Sequence, residues 1–438
     1  MRLRSLLGPL WLALLAACSL TPSPPAPALP TAPPRPTATS TAAPRPTAAP
    51  AVTAQPAPTP QPAALQLWAA ASGPQAQALQ RLIGELAAPQ GLAVNVTTRS
   101  SDALYADISA DRLAGEPPPD LIWATQEELA LLQRDKLIQP AADGVDERAV
   151  LPATLAGAAL EGQRWGTPVA ASGMLLLFYN RKLVSGAPAS TDALIVASRA
   201  QRRDGNAGLV AGWAEPRWFA ALLAGYGGSL VGPDDRPTLD TPQTLAALNL
   251  LKELRVAGPP APSTYGEGAR LFQHGKAAFA LDGDWAVESY RQYTDTLELG
   301  VARMPVVPAT GRVAAPPLNG IYLMYSSALS GERQAQARKL AAALLQPDAQ
   351  ARIARDLGLL PALKSALASP AVQQHPLLGP AAAQADGAAG LPATRGLHCA
   401  WETLAVTLPS VLVGDLAPAK AAPQLQSDAL ACLSRTPE

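Results

Sequence analysis

Cysteine, histidine and phenylalanine are scarce in this chain: its 438 residues hold three cysteines, three histidines and four phenylalanines, and charged residues make up only 16 %. The histidines, His274, His375 and His398, stand far apart and no Cys-x-x-Cys occurs, so spacings that hold zinc are missing. A Gly-x-Ser-x-Gly elbow and a Gly-x-x-x-x-Gly-Lys phosphate loop are also missing, which removes common signatures of hydrolases and ATPases. Basic and acidic residues balance at 34 each, and no basic block exists, so a nucleic acid finds no electrostatic footprint. The reading is a chain with no catalytic centre, no metal and no cofactor. Asp282 and Asp284 flank Gly283 and read as a solvated turn that presents Trp285, in preference to a cation site. Glu127 and Glu215 can be cast as a glycosidase pair, but sequence separation says nothing about the ~5 to 9 Å such a pair needs.

What is present at the N-terminus bears on location. Arg2 and Arg4 precede an apolar run from Leu6 to Leu15, followed by Ala16, Ala17 and Cys18. A basic start, a short apolar run and small residues before a cut mark a secretory signal over residues 1–17, too short to span a bilayer comfortably. Leu15-Ala16-Ala17-Cys18 resembles the bacterial lipobox, which implies an acylated Cys18 that anchors the mature chain outside the cytoplasm, on the cell membrane. With Cys18 used by the anchor, Cys399 and Cys432 remain as an even pair, expected to form a disulfide in an oxidising compartment.

From Cys18 to residue 64 the chain is almost all Pro, Ala and Thr, with Arg35 and Arg45 its only charges. Such a composition buries little and lacks donors, so it reads as a disordered, semi-extended tether reaching ~140 Å at most. The remaining ~375 residues exceed one ordinary core and suit two lobes.

Apolar periodicity alternates along that part. Leu65, Leu67 and Trp68 open a strand, Gln75 to Ala87 has helical spacing, Leu92 to Val96 alternates, Ala103 to Leu113 is helical, and Leu121 to Trp123 is a strand. Strand, helix, strand, helix, strand predicts an α/β architecture with a mostly parallel sheet. Trp165 to Asn180 reads as an extended segment running into a continuous apolar strand. Helices are expected at Asp192 to Ala200, Arg217 to Ala224, Pro242 to Ala257 and Gly331 to Leu345, and strands at Ala277 to Asp282 and Ile321 to Tyr325.

Several local patterns then occur in order: Leu67-Trp68, Gly115 with Pro119-Asp120-Leu121, Thr167-Pro168 through Tyr179-Asn180, Glu215-Pro216, Tyr226-Gly227-Gly228, and Gly275-Lys276-Ala277-Ala278-Phe279 running to Gly283-Asp284-Trp285. From about Leu65 to Ala431 the chain resembles the family 1 extracellular solute-binding proteins, the group that contains maltose-binding protein. The resemblance implies a two-lobe, periplasmic-binding-protein-like fold of class II type with discontinuous lobes. Residues 65–169 and 319–365 would form the N-terminal lobe, 175–312 and 366–438 the C-terminal lobe, and 170–174 and 313–318 the hinge crossings. It also implies a monomer that captures a sugar by lobe closure, and the permease subunits of an ABC importer as partners.

Ligand residues follow from the same matching. Trp123 and Trp285 occupy aromatic sugar-stacking positions, where an indole offers an apolar face and an N–H donor. Glu215 matches a carboxylate that accepts from hydroxyls. Arg217 stands at an aromatic contact position, and its five donors favour an acidic or densely oxygenated ligand face. Where the family places acidic and basic pairs, this chain has Gln126 with Glu127, and Ser72 with Gly73; Ser172 stands near another carboxylate position. Tyr226 and Trp218 are further cleft candidates, while Trp165, Trp213 and Trp401 read as structural. These departures weaken maltose itself as the ligand. They leave open a non-sugar solute or a ligand-presenting sensor, and more remotely a purely structural lipoprotein.

Overall fold

The computed structural model describes residues 64–435, apart from 142–143, 203–205, 260–263, 316 and 386–387. The leader, Cys18 and the tether up to residue 63 lie outside the described residues.

In chain order the elements that matter begin with β1 (Leu65–Ala70), α1 (Gly73–Ala87), β2 (Val94–Arg99), α2 (Ser101–Ala114), β3 (Leu121–Thr125) and α3 (Gln126–Arg134). They continue with β4 (Thr167–Ser172), β5 (Leu175–Asn180), α4 (Thr191–Gln201), β6 (Ala207–Ala211), α5 (Pro216–Gly225), α6 (Pro242–Val256), α7 (Tyr265–Gln273), β7 (Ala277–Gly283) and β8 (Leu299–Ala302). The last are β9 (Asn319–Ser326), α8 (Gly331–Leu344), α9 (Pro347–Leu357), α10 (Leu378–Ala385), α11 (Arg395–Val413) and α12 (Pro418–Ser434).

The first sheet has the central order β4-β9-β3-β1-β2, with the short strands Leu360–Pro361 beside β4 and Ile138–Gln139 beside β9. Only the β1–β2 and β1–β3 pairs are parallel; β9 lies antiparallel to both β3 and β4. The sheet is therefore mixed, where the repeating strand-helix pattern predicted a mostly parallel one. The cause is β9, which arrives from the far side of the molecule to pair with β3. The second sheet has the order β8-β5-β7-β6 and is mixed as well, with β7 parallel to β6 and antiparallel to β5.

The extended segment and the apolar strand it runs into are β4 and β5, which belong to two different sheets. Gly173 separates them with φ at +78°, a backbone conformation that costs glycine no Cβ clash. The chain thus leaves the first sheet at Ser172 and enters the second at Leu175. A second passage leads from the Arg312–Val313 strand to β9. A third follows α10, where Leu318 pairs with Gly390, Leu391 packs on the core of the second lobe and Ala393 on that of the first.

The C-terminal tail is divided. Helices α11 and α12 pack on α5 and α6 of the second lobe. By contrast, Val372, Leu377, Leu378 and Ala381 join a core cluster that also holds Ala354 and Leu360 next to the first sheet and Leu176 and Phe178 of β5. Buried Gln384 fastens this segment, donating to the Leu175 carbonyl at 2.8 Å and accepting from the Met304 amide at 2.9 Å. Helix α11 is long and apolar enough to cross a membrane, but half of its most apolar window is buried inside the fold.

The expected disulfide is present: Cys399 of α11 and Cys432 of α12 are bonded, with Cα atoms 5.6 Å apart, and close a loop of 33 positions. A loop of that size stabilises by about 3 to 4 kcal/mol where chain entropy dominates. Replacing both cysteines with serine is expected to lower the urea midpoint accordingly while leaving the fold intact, as read by circular dichroism; an unchanged midpoint would show the bridge to be dispensable.

Candidate functional site

The cleft between the lobes is furnished from both sides by helix N-termini. On the first lobe, Thr125 caps α3 and its own N–H donates to Glu128 at 3.1 Å, a reciprocal capping box that fixes the direction in which the next residues project. Buried Gln126 donates to the Leu391 carbonyl of the third passage. Glu127 extends outward and accepts from Asn319 Nδ2 at 2.8 Å and from Thr125 Oγ1 at 2.5 Å.

Facing it, α5 begins with Pro216 after Glu215, whose carboxylate is exposed and has no hydrogen-bond or ion-pair partner among the described residues. Arg217 reaches back across the cleft. Its Nη1 donates to the Gly173 carbonyl at 3.2 Å and its Nη2 lies 3.7 Å from Glu127 Oε1. Burial pulls the Arg217 pKa down, opposed by the charges of Glu127 and Asp284. Two indoles flank the guanidinium, Trp285 at 5.8 Å and Trp401 at 5.9 Å from Cζ to ring centroid, both within cation–π range.

Trp285 is 46 % exposed, which leaves much of its ring available to a ligand. It is nonetheless held firmly. The indole N–H donates to the Tyr265 hydroxyl at 2.9 Å, and that hydroxyl donates to Asp282 at 2.9 Å. The Trp218 ring meets Trp285 edge-on at 6.3 Å. Gly283 makes the arrangement possible, because a Cβ there would stand 2.1 Å from the indole.

Asp282 and Asp284 are not a solvated turn. Asp282 is buried and accepts from Tyr265, Tyr290 and the Gly283 amide. Asp284 turns its carboxylate onto the backbone, accepting from the Gly173 N–H at 3.1 Å and the Met174 N–H at 3.3 Å. Burial pushes both carboxyls up to about 6 despite these donors. Among the described residues no group of three metal-ligating side chains occurs.

The model of the bacterial extracellular solute-binding protein family matches residues 81–380, more than half of the chain. The chain belongs to that family. Its members bind solutes outside the cytoplasm and are not enzymes. A maltotriose-binding protein of Pyrococcus abyssi is 24 % identical over 271 residues, 60 % of this chain and 59 % of the relative. The chain thus spans well under two thirds of that relative's length. Among solved structures, a maltose/maltodextrin-binding domain from Bdellovibrio bacteriovorus bound to maltotriose has a TM-score of 0.67 at 24 % identity, covering 85 % of this chain and 100 % of that one. A maltose-binding periplasmic protein from Listeria monocytogenes has a TM-score of 0.75 at 19 % identity, covering 85 % and 99 %. Both share the two-lobe class II fold.

Within this solute-binding protein the expected site residues divide. Glu127, Arg217 and Trp285 are brought together, with Glu215 on the same helix end as Arg217. Gln126 lies beside them but is buried and committed to Leu391. Ser72 is exposed at the N-terminus of α1, beyond the end of β1, without a capping bond of its own. Ser172 ends β4 and pairs in register with Asn319. Trp123 is not a stacking platform: it is 2 % exposed and packed in the core with Leu67, Leu79 and Leu121. Trp218 is likewise buried, its N–H donating to the Leu281 carbonyl at 2.7 Å. Tyr226 caps the opposite end of α5, about 13 Å along the axis from Arg217 at 1.5 Å per residue, and packs on the core of the second lobe. Trp401, read from sequence as structural, stands in the site, as do Asn319, Tyr265 and Asp284.

The raised carboxyls of Asp282 and Asp284 carry a stability signature. The folded state holds their protons more tightly than the unfolded chain, whose value is 3.8, so their contribution is full below about pH 4 and is lost as pH rises through about 6. Denaturant midpoints measured across that window should fall less steeply in Asp284→Asn than in the wild type; parallel curves would remove the assignment.

Proposed function

We propose that the protein captures a neutral, hydroxyl-rich saccharide by closing its two lobes, and delivers it to the permease subunits of an ABC importer. The observation that carries this reading is the half-exposed Trp285 indole, held in one orientation by Tyr265 and set beside Trp401 and the Arg217 fork. An indole covers the apolar face of a pyranose, and the arginine donors with the Glu215 and Glu127 carboxylates serve its hydroxyls. The saccharides named for the Pyrococcus, Bdellovibrio and Listeria relatives, maltotriose and maltose, support the same class.

The charge inventory shifts the expectation attached to Arg217. Its cation already faces Glu127 at 3.7 Å, with Asp284 close by, while Glu215 has no countercharge among the described residues. An acidic solute would meet more carboxylate than cation there, so a neutral one is favoured. Closure stabilises the complex only where each polar group taken from water finds a partner, which matches a site of paired donors and acceptors.

Under this reading the lobes meet along residues 65–169 and 319–365 on one side and 175–312 with the tail on the other, and the protein acts as a monomer held on the membrane by acylated Cys18. Isothermal calorimetry against neutral gluco-oligosaccharides, their uronic acids and amino acids tests the solute class. Binding of a neutral oligosaccharide, weakened roughly 10- to 100-fold by Trp285→Ala, is the expected outcome; binding confined to acids or amino acids would transfer the protein to a non-sugar solute. Cys18→Ala should move the protein from the membrane to the soluble fraction, and continued membrane retention would refute the anchor.

A further inference from the structure

The first passage between the lobes is gripped at both ends of one peptide unit. The Gly173 carbonyl accepts from Arg217 Nη1 at 3.2 Å, and the Met174 N–H of the same unit donates to Asp284 at 3.3 Å. The preceding N–H, that of Gly173, donates to the other oxygen of Asp284 at 3.1 Å. Asp284 and Arg217 also attract one another, since each raises the stability of the other's charged form. Space around Gly173 is tight as well as its backbone unusual: a Cβ would stand 3.2 Å from Asn319 Nδ2 and 3.3 Å from Arg217 Nη1. Asn319, which closes the second side, opens β9 directly after the second passage and is itself held by Glu127.

We propose that Gly173 is the pivot of lobe motion and that Arg217 is a positioning residue coupling solute contact to that pivot. One end of the guanidinium holds the Gly173 carbonyl, while the rest lies between Trp285, Trp401 and Glu127. A solute that draws the guanidinium toward the indoles or away from Glu127 therefore changes the hold on the one peptide unit about which the chain turns from the first sheet into the second. A planar fork is needed for this. Lysine keeps the charge but presents a single ammonium, unable to hold the carbonyl and face the carboxylate with separate nitrogens. The coupling to a saccharide rests on the function proposed above, whereas the clamp itself does not.

Hydrogen exchange of the Gly173 and Met174 amides tests the clamp on the whole protein without added solute. In Arg217→Lys both amides are expected to exchange about tenfold faster, the effect of losing one charge-assisted hydrogen bond. Asp284→Asn should act in the same direction, and Lys420→Gln, at an exposed position of α12 away from the passages, should leave exchange at these amides unaltered. Small-angle scattering with and without maltotriose then reads the coupling: the solute-induced fall in radius of gyration is expected to shrink in Arg217→Lys at saturation and to persist in Lys420→Gln. Wild-type exchange rates in Arg217→Lys would overturn the clamp. Faster exchange with undiminished closure would overturn the coupling. Faster exchange in a wild-type background that binds no saccharide would leave the clamp standing and the sugar reading refuted.

Discussion

The cost of taking charge out of water governs this site. Arg217 is a guanidinium with only 18 % of its side chain exposed, in a cleft whose other inward groups are indoles and carboxylates. A buried charge of this kind persists only when its donors are satisfied. Its partners come from three separate parts of the chain: the Gly173 carbonyl of the first passage, Glu127 on α3 and, through space, Asp284 after β7. Satisfying one side chain therefore fixes the positions of a passage, a helix end of the first lobe and a turn of the second. Moving the lobes apart disturbs the same contacts, so the electrostatics of the cleft and its mechanics have a common origin.

Hydrogen bonds behind Trp285 keep its indole still. Trp285 sits beyond the end of a wholly buried strand, and its N–H is tied through Tyr265 to Asp282. Without that chain of bonds a half-exposed indole after a glycine would sample several rotamers, and each would have to be frozen on binding at an entropic cost. Burial pushes the Tyr265 hydroxyl and the Asp282 carboxyl both upward, which keeps the phenol protonated as donor and acceptor throughout the ordinary pH range. The network is pre-organisation in a literal sense: donors and acceptors are committed before a solute arrives.

Much of the architecture was readable because apolar spacing reports local geometry. Helices α1, α2, α6 and α8 and strands β1 to β3 stand where the apolar spacing put them. What spacing does not report is which partner a strand will choose, and so the antiparallel insertion of β9 between β3 and β4 was not legible. Trp123 illustrates the same limit at the level of a side chain. Matching by order placed it in the cleft, yet it shares the parity of Leu121 on β3, and alternate residues of a strand face one side. Leu121 belongs to the core beneath α1, so Trp123 does too. Because β3 is buried on both faces, the sequence alone did not say which core Trp123 joins.

Trp401 shows the converse. On α11 the buried positions Leu397, Ala400, Leu404, Leu408 and Val411 follow helical spacing, and Trp401 falls one residue off that stripe, half-buried at its margin. A large aromatic at the edge of an apolar stripe is a residue whose face is only partly used by the core, which is the condition for contributing a surface to a cleft. The disulfide gives that position its significance. It ties α11 to α12, and both helices rest on the helices that carry Arg217 and the core behind it. The tail is thus the element that holds a second indole against the guanidinium, in addition to Trp285. An aromatic pair assembled from segments more than a hundred residues apart in sequence requires such a brace, because neither segment alone fixes the distance between the rings.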